Sequence, residues 1–424
     1  MARKYYKRIC DDLLAQKLEA KGAVLVKGAK WCGKTTTAAN LAGSVVYMED
    51  PEKKKQYLEM ADLNPSRLLQ GEVPRLIDEW QLAPKLWDAV RFEVDQRDEF
   101  GQFILTGSAV PPATSEISHT GTGRITSLLM RPMSLFESGD SDGSVSLAAL
   151  FKNDDVQGSC NLRLSDIEYL ICRGGWPKGI GQKESVALAQ APDYYDSLIE
   201  SDISRVDGIE RDPERAKRVM RAYSRSVASE ASITSILNDV RGDGNDTFSE
   251  NTLRSYLSAL RKIFVIEDAP AWNPNLRSKT AIRSSDTRYL VDPSIATAAL
   301  GIGPEDLMND LDTCGLFFEN MCVRDLRIYA ESIGGSVYHY RDKSGLECDT
   351  VVHLRNGHYG LIEIKLGGDR LIKEGAANLI KLKKMIDTGK MYEPSFMMVL
   401  CANAPFAYKR EDGVLVVPIG CLRN

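Results

Sequence analysis

The residues best equipped for chemistry stand early in the chain. GAKWCGKT, from Gly28 to Thr35, satisfies G-x-x-x-x-G-K-[ST] and lies between the apolar run AVLV and the helix-favouring run TTTAANLA. That strand–loop–helix setting is the one in which backbone amides and a helix N-terminus cradle phosphate. Gly28 and Gly33 permit the turns that aim N–H groups at phosphate oxygens, and Ala29, Lys30, Trp31 and Cys32 carry the amides between them. Lys34 is placed to reach the β and γ phosphates, Thr35 to offer its hydroxyl to Mg²⁺, and Thr36 to help hold the α or β phosphate. The expected ligands are ATP and Mg²⁺.

RLIDEW at 75–80 supplies the complementary half. An apolar strand ending in Asp78 and Glu79 sets the first carboxylate on the Mg²⁺ shell and the second against the attacking water. FILTGS at 103–108 is another strand ending in small polar residues; Thr106 or Ser108 can sense the γ-phosphate there, and the same residues also suit a plain strand-to-turn transition. Arg124 stands just before the run ITSLLM, where it is read either as an arginine finger acting across a subunit boundary or as a capping, ion-paired arginine.

A second constellation lies near the C-terminus. CDTVV carries Asp349 on an extended run, and EIK carries Glu363 and Lys365 on the next, where alternation puts both on one face. Two neighbouring carboxylates, Asp349 and Glu363, can bind a divalent metal, a lysine beside them can orient water for phosphodiester cleavage, and Glu319 in GLFFEN is a third acid. Taken singly, Glu-x-Lys on a strand is more often an exposed ion pair.

The elements that must position these residues follow from periodicity. AVLV, VVYM, RLI, FIL and ITSLLM are short strands separated by helical or turn-rich segments, which implies a parallel α/β sheet over 1–135. A helical lid or linker occupies 136–209, around the loop SGDSDGS and the turn GGWP. Helices followed by short strands, interrupted by RGDGNDT, give a small α+β unit over 210–304. From 305 to 424 the order is helix, three extended runs (SVYHYRD, CDTVVHL, YGLIEIK), helix, and a strand at MMVL. In the middle unit Thr247 and Glu250 resemble a capping box, opening a helix with Leu253, Tyr256, Leu257, Leu260 and Phe264 on one face. Its other face bears Arg254, Ser255, Ser258, Arg261 and Lys262, and Arg211, Arg215, Arg218 and Arg225 form a second basic row. The two rows suit a recognition helix against DNA and equally suit solvated faces.

With 424 residues the chain exceeds one ordinary core, since cores stop growing at roughly 250–300 residues, and length alone suggests about three domains. A composition 43% hydrophobic and 27% charged is that of a globular protein, and a net charge of −5 leaves DNA undecided because a binder needs only a local basic face. Nine cysteines without a CxxC pair, beside four histidines, argue against metal clusters and disulfide frameworks. No apolar stretch is long enough to span a bilayer and no apolar run follows the charged start, so the expected location is the cytoplasm, away from any membrane.

GAKWCGKTTT, LIDEW, LTGS, the GR before a strand, RPMSLFE and GGWP together resemble prokaryotic AAA-superfamily ATP-binding proteins related to the archaeal-ATPase and STAND clades. VDPSIATAALG, GLFFEN, YRDKSGLECD and GLIEIK are similar to the C-terminal domain of unknown function that accompanies that ATPase, so the resemblance covers nearly the whole chain. It implies an ATPase, a winged-helix-like part and a PD-(D/E)XK nuclease-like fold, with DNA, a partner protein or a second copy of the chain as expected partners. The departure is Trp31 and Cys32, which replace the commoner arginine- or glutamine-containing stretch; backbone amides do the cradling, so phosphate binding is unaffected.

Overall fold

The computed structural model describes residues 5–108, 121–152, 156–242, 248–274 and 285–424. Two compact units emerge. The first gathers Met1–Pro132, Leu198–Asp212 and Leu257–Val265; the second gathers Met133–Ser197, Pro213–Tyr256 and Ile266–Asn424.

The first unit runs α1 (Ile9–Ala20), β1 (Ala23–Lys27), α2 (Lys34–Leu41), β2 (Ser44–Tyr47), α3 (Lys54–Leu63), β3 (Arg75–Asp78), α4 (Lys85–Arg97), β4 (Phe103–Gly107) and β5 (Ile125–Leu129). Its five strands are parallel in the order β2-β3-β4-β1-β5. Parallel sheets are covered on both faces, which is why these strands read as unbroken apolar runs. Ala23, Ile77, Phe103 and Leu105 pack with Leu86 and Val90 of α4, whereas Val24, Val26, Leu76 and Ile104 pack with Leu14 and Leu18 of α1 and Ala38 of α2. Insertion of β4 between β1 and β3 has a chemical consequence: it sets Thr106 beside Asp78 in register, next to the strand that leads into the glycine loop.

In the second unit, α5 (Leu135–Ser138), β6 (Val145–Ser146), α6 (Leu147–Leu150), β7 (Gly158–Ser159), α7 (Leu164–Arg173) and α8 (Glu184–Ser197) come first. A π-helix, Leu198–Asp202, and α9 (Ile203–Arg205) belong to the first unit. Then follow α10 (Pro213–Ser224), α11 (Ile233–Arg241), α12 (Glu250–Lys262), whose residues from Leu257 on belong to the first unit, α13 (Ser294–Leu300), α14 (Pro304–Asn309) and α15 (Leu311–Ser332). After α12, Ile266 bridges Leu290 and Ala269 bridges Thr287, both antiparallel. The chain closes with β8 (Gly335–Arg341), β9 (Glu347–Leu354), β10 (Tyr359–Gly367), α16 (Asp369–Met385), β11 (Phe396–Asn403), β12 (Phe406–Lys409), β13 (Leu415–Pro418) and β14 (Leu422–Arg423). The seven-stranded sheet has the order β7-β12-β13-β11-β10-β9-β8, parallel at β10–β11 and β11–β13 and antiparallel elsewhere. Leu361, Val351, Val399 and Val416 pack against Ile372, Ala376, Leu379 and Leu382 of α16.

The stretch read as a helical lid thus also carries β6 and β7, which pair with β14 and β12. Thr247 and most of RGDGNDT lie outside the described residues. Ser249, whose hydroxyl accepts from the Thr252 amide at 3.1 Å, caps α12 in the role read for Thr247.

Several motifs behind the family resemblance meet in one buried polar network of the second unit. Ser134 and Glu137 form a capping box at α5, and the neighbouring Leu135 amide donates to Asp325 Oδ2 at 2.9 Å. Arg324, fully enclosed, donates to Asp292 Oδ2 at 2.8 Å; the same oxygen accepts from the Gly175 amide at 2.9 Å, and Trp176 Nε1 donates to Ser294 at 2.9 Å. Arg324 Nε also donates to Asp325 Oδ1 at 2.8 Å, and Nη2 lies 2.7 Å from the same oxygen without a directed bond. RPMSLFE, GGWP and VDPS are therefore the parts of an internal scaffold, with charges that satisfy one another.

Candidate functional site

The glycine loop begins where β1 ends. Gly28 has φ 154°, and a Cβ there would meet the Met130 carbonyl at 2.0 Å, so only glycine fits. Gly33, at φ 105°, turns the chain into α2, whose first amides are left without helical partners. Arg8, just before α1, braces the loop from behind by donating to the Cys32 and Arg131 carbonyls, each at 2.8 Å. Sequence reading passed over Arg8; its position ahead of the first helix gave no signal. Cys32 is buried and its Sγ donates to the Met130 carbonyl at 3.4 Å, while Trp31, at φ 64°, is exposed.

Lys30, Lys34 and Thr35 of the loop each have an internal partner. Lys34 is buried and donates to the Ala29 carbonyl at 2.8 Å. Lys30 pairs with Asp202 at 2.6 Å. The Thr35 hydroxyl donates to Asp78 Oδ1 at 2.7 Å and the Thr106 hydroxyl to the same oxygen at 2.6 Å, whereas Thr36 faces solvent. Hard oxygen donors from Thr35 and Asp78, side by side at the end of a glycine loop, suit Mg²⁺.

Glu79 follows Asp78 in a left-handed conformation, φ 57°, which a non-glycine residue adopts at a cost that surrounding structure must offset. Ser108 Oγ donates to Glu79 Oε2 at 3.3 Å and Gln81 Nε2 donates to the same oxygen. Burial raises the Glu79 carboxyl above its ordinary range, with nearby Lys34 opposing the shift. A carboxylate so raised is a better proton acceptor for an attacking water. Arg124 points elsewhere within the chain: its Nε donates to Asp95 on α4 at 2.7 Å, and the side chain is about half exposed, 47%.

In the second unit, β9 and β10 run antiparallel, with Ile362 opposite Thr350, which sets Asp349 next to Glu363. Asp349 Oδ2 accepts from the Ile364 amide at 2.7 Å and from Lys365 Nζ at 3.1 Å. Lys365 Nζ lies 2.7 Å from Glu363 Oε2, yet neither Glu363 oxygen has a directed hydrogen bond, so the ion pair alone holds that buried carboxyl. Gly375 of α16 makes room: a Cβ there would come within 3.3 Å of Glu363 Cβ and 3.6 Å of Lys365 Cε. Burial and then Asp349 push Glu363 up, to about 8, while the two carboxylates outweigh burial and hold Lys365 charged.

Glu319 accepts from the Tyr289 hydroxyl. Enclosure of its carboxyl, then repulsion from Asp349, holds it well above the usual range although the residue keeps some exposed surface; Lys365 and Glu363 are near enough to act on it too. Asp349, Glu363 and Lys365, singled out in the sequence, therefore meet at one point, and Glu319 is bonded to Tyr289, which sequence reading missed. The point between Asp349 and Glu363 is taken by the Lys365 ammonium, and among the described residues no group of three or more His, Cys, Asp or Glu side chains is set to hold a metal.

The basic rows are largely engaged. Arg211 is buried and paired with Asp207 at 2.7 Å, Arg215 and Arg218 lie over the Phe248 ring, Arg225 pairs with Asp239, and Arg254 with Glu250. All nine cysteines are free, and no described helix is long and apolar enough to cross a membrane.

Residues 20–138 match the AAA domain family, residues 164–306 a domain of unknown function (DUF8612), and residues 314–422 a domain of unknown function (DUF4143). Uncharacterized proteins of Mycobacterium tuberculosis and Mycobacterium bovis are each 24% identical over 359 residues, covering 83% of this chain and 72% of theirs. The Walker-type ATPase PabY2304 of Pyrococcus abyssi aligns with 70% of this chain and 96% of its own at a TM-score of 0.42 and 15% identity. The N-terminal part of this chain matches the AAA domain family and carries a P-loop, and its C-terminal part matches DUF4143.

Proposed function

We propose that the chain binds Mg²⁺–ATP at Gly28–Thr36 and hydrolyses it, and that nucleotide state governs what the rest of the chain does. One observation carries the reading: Asp78 Oδ1 accepts from both Thr35 and Thr106, so the loop hydroxyl, the acidic strand end and the intervening strand converge on one point. Mg²⁺, when bound, supplies charge neutralisation between the phosphates. Lys34 leaves the Ala29 carbonyl for phosphate oxygens, Thr106 remains beside Asp78 to sense the terminal phosphate, and Glu79 takes the proton of the attacking water.

In the first form of the proposal, nucleotide state presents a winged-helix-like middle part and a nuclease-like C-terminal part to DNA. Asp349, Glu363 and Lys365 sharing one point favours it. In the second, the chain is a nucleotide-dependent switch whose C-terminal part is a catalytically inactive protein-binding module; the ammonium between the carboxylates favours that. The deciding experiment measures ATP turnover with and without single- and double-stranded DNA, in Mg²⁺ and in Mn²⁺, and then inspects the DNA. Stimulation or cutting supports the first form, and slow turnover indifferent to DNA, with no DNA binding in any nucleotide state, supports the second. Absence of any ATP binding ends both.

A further inference from the structure

The glycine loop holds two lysines, and the phosphate-binding pattern explains only Lys34. Lys30 Nζ is 2.6 Å from Asp202 Oδ1, across 172 positions of sequence, and both residues belong to the first unit. The lysine side chain is 44% exposed, the aspartate only 10%. A loop whose backbone is shaped for phosphate therefore has a cation at its rim, tied to a largely buried carboxylate. Asp202 also ends the π-helix Leu198–Asp202, a rare form that often occurs at functional positions. Lys34 is folded back onto the carbonyl of Ala29, the residue that precedes Lys30 in the loop.

We propose that Lys30 is a second phosphate-binding lysine, specific for the terminal phosphate, and that Asp202 holds it when no triphosphate is bound. The proposal rests on reading the loop as a nucleotide site. A lysine is a compact charge on a flexible stem, able to move between a carboxylate and a phosphate without rebuilding the loop. ATP, with a doubly charged terminal phosphate, competes with the single charge of Asp202; ADP lacks that group and leaves the pair intact. Exchange of the pair frees Asp202, and the π-helix it ends becomes the part of the unit that distinguishes triphosphate from diphosphate.

The test is a calorimetric titration of the full chain with Mg²⁺ and either a non-hydrolysable ATP analogue or ADP. Removal of the competing carboxylate in Asp202→Asn tightens the analogue by about two- to fivefold, the range set by partly exposed ion pairs, and leaves ADP unchanged. Lys30→Gln weakens the analogue by on the order of tenfold and weakens ADP far less. The double variant matches Lys30→Gln, since Asp202 acts only through that lysine. An equal shift for both nucleotides in Asp202→Asn, or a double variant that keeps its gain, overturns the proposal and leaves a merely structural ion pair. Lys30→Gln, a change at an exposed side chain, decides the matter alone if Asp202→Asn melts before titration. Failure of the underlying reading looks different: the wild type binds neither nucleotide, or Lys34→Ala binds as the wild type does.

Discussion

The glycine loop and the C-terminal carboxylate cluster both bring charged side chains together on neighbouring strands, yet they hold those groups in different ways. Around Asp78 the partners are the Thr35 and Thr106 hydroxyls, and Lys34 nearby donates to the Ala29 carbonyl. Exchanging such neutral contacts for ligand oxygens changes little in the number of satisfied groups. Around Glu363 the partner is an ammonium in a buried site, and removing it strands two carboxylates. The first arrangement is ready for a cation and phosphates; the second is already neutralised from within.

The largest effect should fall on the ready site. Glu79→Gln keeps the shape and the contact with Ser108 but cannot accept a proton, so turnover should drop by on the order of 10²–10⁴ while ATP affinity holds. Lys34→Ala should instead lose ATP binding. Because burial raises the Glu79 carboxyl, wild-type turnover should decline as pH falls through a midpoint above the ordinary carboxylate value, and that acid limb should vanish with Glu79→Gln. Turnover undiminished in Glu79→Gln removes Glu79 as the base.

The neutralised cluster should respond in stability. Lys365→Met leaves Asp349 and Glu363 facing one another without a counter-charge, a loss of about 3–5 kcal/mol by analogy with broken buried pairs. The pH dependence has a definite sign. Glu363, raised from 4.5 to about 8, binds protons more tightly folded than unfolded, so its contribution is full below pH 4.5 and is lost as pH rises toward 8. The variant should therefore melt closest to the wild type in mild acid and farthest from it above pH 8. Mn²⁺ that restores the melting temperature at pH 8 would show that the emptied point accepts a cation, which erases the distinction between the two sites.

The unequal legibility of these sites has a physical basis. The phosphate loop announces itself because glycines, lysine and threonine act through backbone geometry that a contiguous octapeptide fixes, and β1, β3 and β4 read as strands because both faces are buried. Asp349, Glu363 and Lys365 were also legible, since alternation places them and adjacent strands bring them together. Their partners were not: Tyr289 and Gly375 carry no local pattern and meet the cluster through tertiary packing. The same holds for Lys30, read as one more loop residue until Asp202 arrives from a distant segment. The short strands β6, β7 and β14 escaped because two residues show no period. Arg211, read as part of a basic row, is buried against Asp207, which spacing along a helix cannot reveal.

A smaller effect should test whether Glu319 is held by Tyr289 in the way that the loop holds its own groups. Tyr289→Phe removes the donor to an enclosed carboxyl while Arg327 stays over the ring, so the cost should be about 1–3 kcal/mol. The same change in a Glu319→Gln background should cost less, because the amide no longer needs that donor to the same degree. An identical loss in both backgrounds, read from thermal melts, would mean that Tyr289 acts through packing alone.

Arg124 should give the smallest effect, and it bears on whether the loop site is complete within one chain. Its guanidinium is committed to Asp95 and the side chain is half exposed, so the pair contributes about 0.2–1 kcal/mol. Arg124→Ala should lower the melting point slightly and Asp95→Ala somewhat more, since Asp95 Oδ2 also accepts from Arg91 at 3.2 Å, and Arg124→Ala should add little in the Asp95→Ala background. Turnover per chain should stay within about twofold of the wild type and should not depend on protein concentration, whereas an arginine finger would supply on the order of 10³–10⁵ in rate. A finger across a subunit boundary predicts the reverse: turnover that climbs with concentration, and activity regained when Arg124→Ala is mixed with Glu79→Gln, because one mixed interface then contains an intact site. Either result would move Arg124 from the ion pair into the catalytic machinery and make the loop site a property of two chains.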